Sequence, residues 1–290
     1  MNEHVVIVGP GRMGLALGAA LVQSVEIPRL TYIGREAEPP PHPIFNARRA
    51  SVDYLMGPGP VPQDATILIL AVPDDRLGAV AQGVAGYGDS PVDCAAFHLA
   101  GALTTDVLAP LHSVGYAVGS LHPLQTVADP WSAGDRLVGT AYALAGEPGA
   151  LAAGKRLVRA LQGRPFVIPP TLRPIYHAAA VLASNYFVTL VAIAARLLKE
   201  AGVPDEDAFP AILPLVRGTL ENLEQLGLSA ALTGPIARGD IDTVRLHLAR
   251  LSPEARALYS ALGLETVNLA RAAGLDDHRV AELEALLSID

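Results

Sequence analysis

Val5-Val6-Ile7-Val8-Gly9-Pro10-Gly11-Arg12-Met13-Gly14 is an apolar run that passes directly into glycines spaced G-x-G-x-x-G. The four aliphatic residues read as a buried strand, and Leu15, Leu17, Leu21 and Val22 continue the segment as a helix. In that setting each glycine has a physical task. Gly9 makes the tight turn, Gly11 lets the backbone approach a pyrophosphate, and Gly14 lets the helix pack on its strand. The phosphate then faces the helix N-terminus, where orphan N–H groups and the dipole favour negative charge. Gly9, Pro10, Gly11, Arg12, Met13 and Gly14 are therefore expected to bind a dinucleotide.

Composition narrows the setting. With 290 residues, 51% of them hydrophobic, the chain has material for two cores. A net charge of −8 disfavours nucleic acid and anionic membranes as partners. Cys94 is the one cysteine, which excludes an intrachain disulfide and fits a reducing compartment. The N-terminal apolar run is short, has no basic leader and ends in the glycine turn, so a soluble, cytoplasmic protein is expected. One stretch, Ala178 to Ala195, carries no charge and approaches the length of a membrane span. Ser184, Asn185 and Thr189 interrupt it and no second span follows, so it reads as a buried central helix.

Further strands are expected at Leu30–Ile33, Thr66–Val72, Asp93–His98, Ala117–Leu121, Thr140–Ala145 and Phe166–Ile168, with a weaker element between Phe45 and Met56. The unalternating run Thr66–Val72 suits a parallel strand covered on both faces. Pro73-Asp74-Asp75 ends it and offers an N-cap to a helix near Arg76. Helical stretches near 103–113 and 149–162 separate later strands, which indicates a doubly wound parallel sheet. At Pro169-Pro170-Thr171 the strands stop. Helices are expected over about 173–201, 205–226, 240–251, 253–273 and 277–288, with Asp205, Ser252 and Asp277 as N-caps and Gly202, Gly227 and Gly274 as C-caps. The fold class is α/β, a Rossmann domain over 1–170 followed by an all-helical domain over 171–290 for substrate and dimer contacts.

Cofactor type is set where the second strand ends, about 20 residues past the glycines, where NAD sites place an acid for the ribose. Gly34-Arg35 stands there, with Glu36 one step later. A guanidinium suits a 2′-phosphate, which favours NADP, with Arg12, Arg48 or Arg49 assisting; the alternative is a solvated Arg35 and NAD held by Glu36.

His98 and His122 each follow an expected parallel strand, at the carboxyl edge where open α/β sheets bind ligands. His177 opens the long helix, with Ser184, Asn185 and Val188 spaced to share its face. A histidine suits proton donation during hydride delivery because its pKa lies near neutrality. Each also has a plain structural reading, as strand-end hydrogen-bonder, turn residue or helix-terminus residue. No metal is expected, since carboxylates and H-x-x-x-H spacing are missing. His4, His42, His112, His247 and His278 read as packing or surface residues. Within Thr233-Gly234-Pro235-Ile236-Ala237-Arg238-Gly239-Asp240, Arg238 suits a substrate carboxylate, while a loop with Asp240 as N-cap is the plain reading.

The glycine turn, Ala71-Val72-Pro73-Asp74, Ser120-Leu121-His122-Pro123-Leu124-Gln125-Thr126, Tyr176-His177-Ala178-Ala179-Ala180 with Ala183-Ser184-Asn185-Tyr186, and the 233–240 turn together resemble one family. It comprises bacterial Rossmann-like proteins with a C-terminal helical domain of unknown function. These are similar to ketopantoate reductase, pyrroline-5-carboxylate reductase and the β-hydroxyacid dehydrogenases, with a helical domain of the 6-phosphogluconate dehydrogenase C-terminal kind. The resemblance implies that Ala71, Val72, Pro73 and Gly101 line the cofactor and that helices form a homodimer. Those relatives carry a catalytic lysine on the first helix of the second domain; here His177 opens it and Val181 stands four residues on. The proton-donating role then falls to His177 or His122, with Asn185 assisting and His98, Ser184 and Arg238 against the substrate. The expected activity is NADP-dependent hydride transfer to a small oxo acid or imine, a ketopantoate-like 2-oxo acid being the first choice. The rival is a non-catalytic NADP(H)-binding redox sensor.

Overall fold

The computed structural model describes residues 3–47 and 50–288. Two compact units divide the chain, Met1–Phe187 and Val188–Asp290. In the first, eight strands form one sheet: β1 (His4–Val8), β2 (Arg29–Gly34), β3 (Ser51–Met56), β4 (Ile67–Leu70), β5 (Ala95–His98), β6 (Ala117–Pro123), β7 (Ala141–Gly146) and β8 (Arg164–Val167). Their order is β3-β2-β1-β4-β5-β6-β7-β8. Chain order reverses at β1, so the glycine turn lies at the topological switch point.

Alternation along β1 explains the two-sided burial. Val5 and Ile7 pack with Leu17 and Leu21 of α1 (Arg12–Leu21) and Leu157 of α5 (Pro148–Ala160). Val6 packs on the opposite face with Leu77 and Ala81 of α2 (Leu77–Ala85) and with Leu108 and Leu111. Two aliphatic faces on one strand are what a parallel sheet covered on both sides requires. The helical stretch expected near 103–113 forms as a 3₁₀ turn, Thr105–Leu108, and the short helix α3 (Ala109–Ser113).

All pairings are parallel except β6 with β7, which is antiparallel. The doubly wound parallel sheet thus holds through β6 and then reverses. Between β6 and β7 the chain holds only α4 (Gly134–Leu137), four residues long. With no crossover helix to carry it over a face, the chain turns back beside the strand it left. A full helix, α5, then joins β7 to β8, and these two are parallel.

Past β8 the described residues are helical: α6 (Arg173–Ala183), α7 (Asn185–Glu200), α8 (Asp205–Ala231), α9 (Ile241–Leu248), α10 (Pro253–Ala272) and α11 (Asp277–Leu287). The core of the second unit gathers Val244, Leu248, Val267, Val280, Leu283 and Leu287. Several caps fall where the sequence places them and others shift. Ser252 accepts from the Ala255 N–H and Asp240 from that of Thr243. Asp276, not Asp277, caps α11, Pro204 precedes α8 in place of an Asp205 cap, and no side chain caps the turn at Pro73. Gly227 bends α8 at φ 74° instead of ending it.

Two expectations for the long helix fail. The helix breaks at Ser184, whose φ and ψ are −122° and −73°, so α6 and α7 are separate. His177, Ser184, Asn185 and Val188 therefore do not share one continuous helical face. Nor is the stretch a buried central helix. Pro170–Glu200 is long and apolar enough to cross a membrane, yet only 6% of its apolar window is buried within the chain. Ile175, Leu182 and Val188 are 71%, 60% and 68% exposed. The period that identifies an apolar helix does not say whether its own chain covers it.

Candidate functional site

The glycine turn has the geometry its sequence requires. Gly9 sits at φ 102°, a left-handed conformation that side-chain-bearing residues rarely adopt. A Cβ there would meet the Ala71 carbonyl oxygen at 2.6 Å, and one on Gly14 would meet the Gly9 carbonyl oxygen at 2.2 Å. Ala71 and Val72 thus form a wall of the turn, and Pro73 follows, exposed. Gly11 differs: a Cβ on it would have nothing within 4 Å. It is exposed and stands at the N-cap of α1 with no side-chain cap, and the first turn holds no acid. Open space, bare backbone and the positive end of a helix suit a pyrophosphate. Arg12 is exposed beside it and Met13 half-buried.

Arg35 is exposed at the end of β2. The neighbouring Glu36 carbonyl accepts a 2.9 Å hydrogen bond from the Tyr54 hydroxyl, which fixes the backbone just past Arg35. Arg48 and Arg49 lie outside the described residues.

Beyond β5 the chain passes through Ala100 and Gly101, and around this segment the structure gathers six polar side chains. Arg173 is the centre. It is wholly buried in the first turn of α6, and no motif in the sequence marks it. Its Nε donates to the Leu103 carbonyl at 2.7 Å, one terminal nitrogen to Ser120 Oγ at 2.7 Å, and the other to the Ala100 carbonyl at 2.6 Å. Among the described residues no carboxylate forms an ion pair with it. The guanidinium ties α6 to the carboxyl edge of β5 and β6 and leaves an uncompensated positive charge inside the site.

His98 faces that charge. It is wholly buried, its Nδ1 accepts from the Ala100 N–H and its Nε2 donates to the Thr104 carbonyl, both at 3.2 Å. Burial first, then Arg173, brings its pKa down to about 4. With both nitrogens engaged by backbone, His98 shapes the loop and has no free atom for the substrate contact expected of it.

His122 and His177 behave differently. His122 Nδ1 lies 2.6 Å from the Tyr176 hydroxyl. Its pKa falls to about 4, through burial, then His177, then Arg173. His177 stacks edge-on to it with ring centroids 5.7 Å apart, and the buried Nδ1 of His177 has no hydrogen-bond partner among the described residues. A Cβ on Gly101 would lie 2.2 Å from that Nδ1 and 3.0 Å from His122 Nε2. Both imidazoles therefore converge over one point of backbone, which only a glycine leaves open. Tyr176 packs on Phe166 at 5.9 Å, and burial pushes its hydroxyl up to about 12.

The other expected contributors lie on later elements of the chain. Ser184 ends α6, half-buried, and Asn185 starts α7. Arg238 is exposed in the turn between α8 and α9, in the second unit. Thr243 hydrogen bonds, and Arg238 to a lesser degree, hold the neighbouring Asp240 carboxyl below the usual range. Among the described residues no group of three or more His, Cys, Asp or Glu is placed to hold a metal.

Residues 2–123 match the Rossmann-like domain family, and residues 140–266 match a domain of unknown function, DUF2520. The chain joins a Rossmann-like domain to a DUF2520 domain. The DUF2520 match takes in β7, α5 and β8, so it begins within the sheet and runs into the helices. Solved structures share the fold at low identity. Protein TM1727 of Thermotoga maritima is 20% identical with a TM-score of 0.69, covering 92% of this chain and 98% of that one. Protein BF3122 of Bacteroides fragilis, provisionally named an NADP oxidoreductase, is 22% identical with a TM-score of 0.66, covering 94% and 98%. The NADP-bound pyrroline carboxylate reductase of Plasmodium falciparum is 16% identical with a TM-score of 0.56, covering 99% of each. No curated protein matches the sequence significantly.

Proposed function

We propose that the protein is a soluble NADP-dependent oxidoreductase that reduces a small oxo acid or imine, with a ketopantoate-like 2-oxo acid as the first candidate. The observation that carries the reading is the convergence of His122 Nε2 and His177 Nδ1 over Gly101. These nitrogens lie beside the carboxyl ends of β5 and β6, in the same sheet edge as the glycine turn after β1. Gly9, Gly11, Gly14, Ala71 and Val72 would hold the dinucleotide backbone, and Arg35 the 2′-phosphate. The nicotinamide, when bound, supplies the hydride. The chain supplies a proton donor from the histidine pair, and the unpaired Arg173 charge favours negative charge building up on the substrate heteroatom.

The reading extends to a homodimer. Large apolar residues on α6, α7 and α8 stand exposed, among them Ile175, Leu182, Val188 and Leu215. A second copy suits them better than lipid, because Arg196, Lys199 and Glu200 close α7 and Ser184, Asn185 and Thr189 interrupt the apolar run.

NADPH titration followed by a panel of 2-oxo acids and cyclic imines tests the proposal. Tight NADPH binding with oxidation by one panel member is expected, and His177→Ala should cut turnover by about 10²-fold with NADPH affinity little changed. Tight binding without turnover across the panel would replace this reading with a redox sensor.

A further inference from the structure

We infer that Tyr176 fixes His122 in the tautomer that carries its proton on Nε2, so that a neutral imidazole presents an N–H donor at Gly101 and Tyr176 is its positioning residue. The inference rests on the oxidoreductase reading only for what the donor serves.

The geometry and the chemistry of the two groups lead there. Tyr176 Oη and His122 Nδ1 are 2.6 Å apart, so one proton lies between them. A phenolic O–H is a stronger donor than the N–H of a neutral imidazole, and an imidazole lone pair is a stronger acceptor than a phenolic oxygen. The hydroxyl therefore donates and Nδ1 accepts, which leaves the single proton of a neutral ring on Nε2. The rings meet edge to face, with centroids 5.5 Å apart.

The ring stays neutral because of its surroundings. Arg173, His177, His98 and Tyr176 face it, and the influences that lower its pKa are burial, His177 and Arg173, with no carboxylate opposing them. A buried guanidinium bonded to two carbonyls and a hydroxyl is a fixed positive charge. Protonating His122 beside it is costly, while donating a hydrogen bond from Nε2 is not. His177 Nδ1, buried and unpartnered, stands across the same point of Gly101 and leaves one face of the substrate heteroatom to Nε2. This arrangement gives a weakly acidic donor that stays in one protonation state across the physiological range, as a neutral imidazole electrophile does elsewhere.

Side-chain ¹⁵N NMR of the full-length protein without cofactor tests the assignment directly. In the wild type, His122 should show a protonated Nε2 and an unprotonated Nδ1 at pH 7.5, and keep that signature to below pH 5. Tyr176→Phe keeps the ring packed on Phe166, and should convert His122 to a mixed tautomer while lowering kcat about 10-fold and leaving KM for NADPH unchanged. A wild-type His122 protonated on Nδ1, or a Tyr176→Phe spectrum identical to wild type, overturns the assignment. Should Tyr176→Phe fail to fold, the wild-type spectrum alone decides. Protonated Nε2 with no turnover on any substrate leaves the tautomer assignment standing and removes the oxidoreductase reading. Turnover with a protonated Nδ1 does the reverse.

Discussion

Gly101 and His177 are packed so closely that a methyl group on the glycine would lie 2.2 Å from Nδ1 of the imidazole. The obstacle is the end of a side chain and not backbone, so Gly101→Ala should fold, at a cost of about 1–3 kcal/mol, as is typical of overpacking. Turnover should fall far more, by about 10²-fold, because His177 and His122 lose their shared point of approach. A Gly101→Ala enzyme with wild-type kcat would show that the two rings do not act there.

Gly11 and Gly14 separate binding from folding. Gly14→Ala drives a Cβ into the Gly9 carbonyl and should destabilise the first unit by about 1–3 kcal/mol. Gly11→Ala meets nothing and adopts an ordinary extended φ of −84°, so its melting temperature should match wild type. Its NADPH affinity, read by fluorescence titration, should nevertheless drop about 10- to 100-fold, since the methyl stands where a phosphate must approach. Unchanged affinity would move the dinucleotide away from this turn.

Arg35 should decide between the two nicotinamide cofactors. Hydrogen bonds to charged groups contribute about 1.5–3 kcal/mol, so Arg35→Ala is expected to weaken NADPH by roughly 10- to 100-fold and NADH hardly at all. Equal losses for both cofactors would assign Arg35 a role unrelated to the 2′-phosphate.

Acid should weaken the fold before most carboxylates titrate. His98 and His122 have folded pKa values of about 4 against an ordinary 6.5. Between those values the unfolded chain binds protons that the folded chain refuses, so stability rises with pH across this window and falls as pH drops through it. A tenfold difference in proton affinity between the two states is worth about 1.4 kcal/mol, so the loss should reach the order of a few kcal/mol. Thermal melts at pH 7.5, 6 and 5 should show a falling midpoint, smaller in His122→Gln. A midpoint constant down to pH 5 contradicts neutral, buried rings.

The exposed apolar helices predict an assembly. Leu215 and Leu226 of α8 are 69% and 55% exposed. Light scattering on the wild type should give a dimer mass at micromolar concentration, and Leu215→Glu with Leu226→Glu should give a monomer. A monomeric wild type would leave those faces to another partner.

The sequence reveals most clearly what local sterics dictate. Gly9, Gly11 and Gly14 are readable because a left-handed turn and a close helix–strand approach exclude other residues. The two-sided strands are readable from their lack of alternation. Arg173 is not, because its meaning lies in carbonyls at Ala100 and Leu103 and a hydroxyl at Ser120, all distant in sequence. A lone cation just ahead of an uncharged stretch was the available signal. His98 and His122 look alike in sequence, each at a strand end, yet backbone at Ala100 and Thr104 consumes both nitrogens of one, while Tyr176 engages only Nδ1 of the other. The break at Ser184 has no glycine or proline to announce it, and apolar periodicity describes a face without naming what covers it.

The interruption at Ser184 falls just after the last residue of the Gly101 cluster, His177. Arg173, Tyr176 and His177 stand before it, in the same compact unit as the glycine turn, Gly101 and His122. On the proposed reading the nucleotide cradle and the histidine pair share one compact unit, although Arg173, Tyr176 and His177 fall in the DUF2520 match and the glycine turn in the Rossmann-like one. Every residue of the Gly101 cluster precedes residue 188, so changes in the second unit leave the identity of each of its groups untouched.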